Sequence, residues 1–207
     1  MLRLDHVVYA VPDLDEAAVR FRETFGLDST EGGRHERWGT ANRIVPLGDQ
    51  YLELVAAVDE PLAAGTVFGR GVLERAAGGG GWFTIAAVAE GLEAIASRLG
   101  IEVDSGSRTR PDGETVRWRM AGLEDPRREP WMPFFLAWDI PEHLNPGRAR
   151  AGHGVRATGI AWVEVHGDAE RLRALLGGDE MPIRVTDGEP GIHRVGITVA
   201  DGELVIG

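Results

Sequence analysis

Two histidines and a glutamate stand where the surrounding pattern carries them inward, and buried groups of that kind must find partners or do chemistry. His6 lies in the alternating run Leu2–Ala10, on the face of Leu2, Leu4 and Val8. An imidazole so placed is either a core residue with satisfied ring nitrogens or a working group. Glu53 sits between Leu52 and Leu54, with Tyr51 and Val55 on its own face. A carboxylate buried there is costly without a metal, a cation or a proton. Arg43, on the neighbouring strand, is one available counter-charge. His35, in the polar segment from Gly32 to Trp38, can point inward as a ligand, acid or hydrogen-bond donor, or outward into water. Asn42 alternates with Ile44, so it faces inward and can orient a substrate carbonyl or pack against a turn.

A second group of residues is basic and aromatic. Arg108 and Arg110 precede the turn Pro111-Asp112-Gly113, and Arg117 and Arg119 follow it. Such a row is ordinarily a solvated face. In an acidic chain, Arg108 can instead hold a substrate carboxylate through paired N–H groups. Trp118, Phe135 and Trp138 read as core, with Trp138 on the wall of any cleft. His143, His153, His166 and His193 belong to no motif, and no Gly-x-Ser-x-Gly elbow is present.

Composition removes several chemistries. There is no cysteine, which excludes disulfides, thiol nucleophiles and thiolate metal sites. The 22 basic residues are all arginine, so neither a lysine Schiff base nor a phosphate-loop lysine is available. The net charge of -11 argues against a nucleic-acid partner, and no nucleotide cofactor is expected. No apolar run is long enough to span a bilayer, and the N-terminus enters a strand pattern at once. A cytoplasmic protein with no membrane partner is therefore expected.

The elements that must position these residues recur in one order. The first unit, residues 1–58, has the strand holding His6, then a helix capped by Asp13 with apolar Leu14, Ala17, Ala18, Phe21 and Phe25, stopped by Gly26. Strands near 29–38, 40–47 and 51–57 complete it. The second, residues 80–140, has a strand over 82–88, a helix through Leu92, Ile95, Ala96 and Leu99, a hairpin over 108–120 and a strand over 134–138. A third, shorter unit spans 156–207, its helix capped by Asp168 and stopped by Gly177, with strands near 182–186, 191–199 and 203–206. Gly- and Pro-rich segments 59–80 and 140–156 read as linkers or lids. The fold class is α+β: repeated βαβββ units in curved mixed sheets around a cleft, with helices outside.

Several segments resemble the glyoxalase-like branch of the vicinal oxygen chelate superfamily. They are Leu4-Asp5-His6-Val7-Val8-Tyr9 with Pro12-Asp13-Leu14, Gly33-Arg34-His35, Gly39 to Arg43, and Leu47 to Leu54; more weakly, Ser107 to Gly113, Trp118, Pro133 to Phe135 and Trp138-Asp139. The resemblance covers the chain from its start to near residue 140; the third unit is assigned by pattern alone. It implies that the first two units pair around a small-molecule cleft, with His6 and Glu53 as metal ligands and Zn, Ni, Mn or Fe as the suited ions. It also makes Glu53 and His35 the candidate catalytic groups, and Asn42, Arg108 and Trp138 substrate contacts. The second unit offers Phe83 or Thr84 and only Asp139 at the matching ligand positions; the third offers Ala161 and an early Glu203. The implied functions are a metal-dependent lyase, isomerase or dioxygenase, or a non-catalytic binder similar to bleomycin-resistance proteins. A homodimer is expected, because an unpaired third unit leaves sheet edges to cover.

Overall fold

The computed structural model describes residues 1–207. Its first two units each supply four strands: β1 Leu2–Ala10, β2 Thr30–His35, β3 Thr40–Pro46 and β4 Tyr51–Ala57, then β5 Gly81–Ala89, β6 Val103–Thr109, β7 Thr115–Ala121 and β8 Phe134–Trp138. These close into one barrel in the order β1-β4-β3-β2-β6-β7-β8-β5. Two seams join the halves, and they are unequal. The β1–β5 seam is antiparallel along its whole length, from Leu2↔Ala89 to Ala10↔Gly81. The β2–β6 seam holds a single registered pair, Arg34↔Thr109.

Helix α1, Leu14–Phe25, begins as its signals require, with the Asp13 carboxylate accepting from the Asp15 and Glu16 amides, and ends at left-handed Gly26. It and α4, Leu92–Leu99, cover the outside of the barrel and bury Phe21, Leu92 and Ala96 in an outer core with Leu2, Leu4, Val7 and Leu52. A separate inner cluster fills the barrel, with Val8, Val55, Trp118, Phe134 and Leu136 among its members. Strands clothed on both sides bury nearly every residue, which is why their alternation in sequence is muted.

The segment between the first two units is not a plain linker. It forms α2, Glu60–Ala64, and α3, Val67–Ala77, and α3 inserts Phe68 and Val72 into the inner cluster. Its glycines serve packing: a Cβ on Gly69 would collide with the Ala63 carbonyl, and one on Gly71 with the Phe83 ring. The later segment carries two 3-10 turns, Glu142–Leu144 and Pro146–Arg148, and buries Pro146.

The third unit is a four-stranded sheet in the order β10-β9-β11-β12, built from β9 Ala157–His166, β10 Ile183–Thr186, β11 Gly191–Val199 and β12 Gly202–Ile206, with α5 at Ala169–Leu176. It does not enter the barrel. Its Val163, Val165, Leu172 and Val195 share the outer core with Leu92, Ala96 and Trp131. Gln50 ties it to the first strand, accepting from the Ile160 amide at 2.7 Å and donating to the Leu4 carbonyl at 3.2 Å.

Candidate functional site

The site forms around a break in β1. Leu4 pairs with Ala87 and His6 with Ala86, so Asp5 is an extra residue bulged out of the ladder. A bulge resets the alternation beyond it. His6 therefore does not share the face of Leu2 and Leu4, which belong to the outer core; it joins the inner face with Val8. The bulge also leaves Asp5 buried beside His6, its carboxylate accepting from Trp138 Nε1 at 3.0 Å and lying 2.7 Å from His6 Nδ1.

From there a chain of polar contacts crosses the barrel. His6 Nε2 lies 3.4 Å from Glu53 Oε2. Asn42 donates its amide to Glu53 Oε1 at 2.6 Å and accepts from Arg108 Nη1 at 2.9 Å. His35 packs behind, with Nδ1 3.0 Å from Thr40 Oγ1 and Nε2 3.7 Å from Glu53 Oε1. All five side chains are buried. With Trp38, Tyr51, Phe68, Trp118, Leu123, Phe134, Leu136 and Trp138 they line a cavity of about 40 Å³. The Tyr51 ring stacks on His6 with centroids 4.4 Å apart, and Phe68 and Leu123 close the space from outside the strands.

Every residue expected to act in the first unit thus converges, and so do Arg108 and Trp138. The Arg43 alternative fails: β3 turns that side chain outward to Ser29 Oγ at 3.1 Å and Asp15 at 3.2 Å, because Arg43 faces Leu54 across the ladder while Ile44 faces Glu53. The surface placement of His35 fails too, since it is 4% exposed. Arg119 does lie on a solvated face, paired with Glu93 and Asp139. Asp139 is thereby drawn away from the cavity. Thr84 accepts from Arg128, and Glu203 accepts from Trp162 Nε1 in the third unit, so neither approaches the site. Sequence reasoning missed Asp5, Tyr51, Trp38 and the α3 contribution. Asp5 adjoins His6, but strict alternation places neighbours on opposite faces and hides it.

The protonation states of the two histidines are driven apart. Burial pushes the His6 imidazolium down, but hydrogen bonds and charge from Asp5 and Glu53 outweigh it and raise its pKa to about 9. For His35, burial dominates; Arg108 and His6 reinforce it against the pull of Glu53, and its pKa falls to about 4. Burial acts to raise Glu53, yet His6, His35 and Asn42 hold it below the usual carboxylate range. Burial also lowers Arg108, opposed by nearby Glu53. Near neutral pH the cavity holds one imidazolium, one neutral imidazole and one carboxylate.

A family model described as "Glyoxalase-like domain" matches residues 4–178. The chain belongs to the glyoxalase-like domain family. The match runs past the second unit through β9 and α5, so part of the third unit is included in the family's domain. Among solved structures, a hypothetical protein from Staphylococcus aureus is 16% identical, with a TM-score of 0.69 over 99% of this chain and 84% of that one. Methylmalonyl-CoA epimerase from Mycobacterium tuberculosis is 22% identical over 64% of this chain and 85% of that one, with a TM-score of 0.46. The Streptomyces coelicolor epimerase bound to 2-nitronate-propionyl-CoA is 21% identical over 67% and 98% of the two chains, with a TM-score of 0.49. No curated protein matches. The paired barrel is the expected fold of this superfamily.

Members of the superfamily often use a divalent metal, and the donor set here can be tested against one. No group of three or more histidine, aspartate or glutamate side chains is arranged to hold an ion. His6 and Glu53 do meet, but as an ion pair, Nε2 to Oε2 at 3.4 Å. The register shows why the second half adds nothing: Ala86↔Phe134 and Val88↔Leu136 in β5–β8 match His6↔Tyr51 and Val8↔Glu53 in β1–β4. Ala86 and Leu136 thus occupy the counterparts of His6 and Glu53. The side chains as placed do not fit a resident divalent ion.

Proposed function

We propose that this glyoxalase-like chain is an enzyme that moves a proton on a small oxygenated molecule, in isomerase or lyase chemistry. The observation that carries the reading is the convergence of His6, His35, Asn42, Glu53 and Arg108 in one buried cavity. Titratable neighbours held in opposite protonation states are a recurring arrangement for acid–base work. Neutral His35, oriented through Nδ1 by Thr40, takes a proton at Nε2 from the carbon next to a substrate carbonyl. The electron pair passes to the carbonyl oxygen, where the uncommitted N–H groups of Arg108 meet the developing charge. Glu53 stabilises the new His35 imidazolium. Return of a proton to the opposite face of that carbon, or to a neighbouring carbon, isomerises the substrate; loss of a β-substituent with its bonding electrons makes the reaction a lyase.

A binding role without chemistry is the second reading. It is favoured by the way Asp5, His6, Glu53 and Asn42 already satisfy one another, and by the aromatic wall of Trp38, Trp118 and Trp138. Proton NMR in D2O separates the two. Hydroxyacetone and 2-oxobutanoate are incubated with the protein, alone and with added Zn, Ni, Mn or Fe(II). The enzyme reading expects accelerated exchange at the carbon next to the carbonyl, falling about 100-fold or more in both Glu53→Gln and His35→Gln. Tryptophan fluorescence that reports saturable binding while exchange stays at the buffer rate supports the binder. Exchange that depends on an added ion and is lost in His6→Ala restores the expected metal pair.

A further inference from the structure

The barrel cavity is small for the job just assigned to it. About 40 Å³ of free space admits about three water molecules, whereas ligand sites ordinarily offer about 300 Å³ or more. Immediately outside the barrel lies a groove of about 430 Å³, between the β2–β6 seam and the 3-10 turns. Arg108 is the one residue that lines both spaces.

Arg108 is an unusual wall. It is 6% exposed, makes one hydrogen bond, to the neutral amide of Asn42, and forms no salt bridge. A guanidinium has five N–H donors and loses much hydration on burial, so a site that leaves most of them uncommitted is built for an acceptor. The backbone is shaped to allow this. A Cβ on Gly32 would collide with Arg108 Nη1 and Asn42 Oδ1, and one on Gly33, at φ 141°, with the Thr109 carbonyl. Gly32 leaves room for the guanidinium beside β2, and Gly33 lets β2 approach the β6 backbone at Thr109. In the groove Arg150 is exposed and without an ion-pair partner, and Arg110 is paired only with half-exposed Asp112 at 2.9 Å. Arg148 is spoken for by Asp49 and Glu142, and Glu31 is the remaining acid of the groove.

We infer that the substrate carries an anionic group, a carboxylate or a phosphate, that rests in this outer groove on Arg108, Arg110 and Arg150 while its reacting carbon reaches the barrel cavity. The inference rests on the barrel being the reacting site, as proposed above. Paired N–H···O contacts from a planar guanidinium suit either anion.

The test follows the Arg108 Nε–H signal of ¹⁵N-labelled full-length protein, assigned by its disappearance in Arg108→Lys. Succinate and inorganic phosphate are titrated separately at constant ionic strength, since screening alone would otherwise mimic a weak effect. A saturable shift is expected with at least one, and the tighter names the anion. Arg150→Gln should weaken that binding about tenfold, while His35→Gln, which disables the proposed proton transfer, should leave it unchanged. Shifts that never saturate with either anion, or an affinity untouched by Arg150→Gln, overturn the inference. Saturable binding that persists where no compound exchanges deuterium counts against the proton-transfer reading alone.

Discussion

Asp5 governs the site without lining its cavity. Its carboxylate takes the Trp138 indole N–H and sits against His6 Nδ1, fixing the ring that faces Glu53. Replacing it in Asp5→Asn removes the charge that helps hold His6 near 9, so the His6 ring signal in proton NMR should titrate at least one unit lower; an unchanged midpoint would contradict the assignment. The two histidines also impose opposite pH slopes on stability. His6 has a folded pKa above the unfolded value, so its contribution is complete below about 6.5 and lost as pH climbs toward 9. His35 is held below the unfolded value, so the native state loses ground as pH falls from about 6.5 toward 4. Urea unfolding should show greatest stability near pH 6.5, with the alkaline slope abolished in His6→Gln and the acid slope in His35→Gln. At this scale His6, Asn42 and Glu53 were legible against apolar or alternating runs, whereas His35 was open between cavity and surface, Arg108 stood in a row that reads as solvated, and Trp138 read as core or cleft wall. Asp5 was not legible, since a bulge leaves no mark in a period-two pattern.

Helix α3 decides how much room the cavity has. Phe68 packs on Trp38 and Phe83 at ring separations of 5.8 and 5.6 Å, and the Glu124 carboxylate accepts from the Val67 and Phe68 amides at 2.9 and 3.0 Å. The plug thus follows the first unit in the chain but is held at its start by the second. Phe68→Ala should cost about 3–5 kcal/mol in urea unfolding and open the barrel to apolar dyes that the parent excludes; a loss below about 1 kcal/mol would mean that the ring is not part of the core. Neither helix of this segment was visible beforehand. Its glycines at 65, 69, 71 and 78 signal a flexible connection by propensity, whereas at 69 and 71 they answer close contacts that only the folded chain makes. Helices α1 and α5, by contrast, announced themselves through Asp13 and Asp168 at one end and Gly26 and Gly177 at the other.

At the scale of the molecule, the third unit acts as a brace. Arg98 on α4 donates to the Ala174 and Leu175 carbonyls at the end of α5, and Trp131 packs flat on Gly167. Gln50 reaches from β4's approach to β1, just ahead of the bulge. A chain cut after residue 155 should lose its fixed aromatic environment in near-ultraviolet circular dichroism, because the cut strips one side of the shared outer core; a native-like spectrum would show that the barrel stands alone. The repeat order was legible from caps, glycines and alternation. That the first two units close on each other was expected only through the family resemblance, and the place of the third was open, since strand pairing across units leaves no local signature.

The unequal seams give the barrel a hinge side and a clasp side. β1 and β5 pair from Leu2 to Ala10, broken only by bulges at Asp5 and Phe83, whereas β2 and β6 share the single registered pair Arg34 and Thr109. Amide hydrogens beside the clasp should therefore trade with deuterium orders of magnitude sooner than those along the hinge, with no need for the protein to unfold. That loosely laddered edge is also the one where Arg108 stands between the enclosed space and the groove outside.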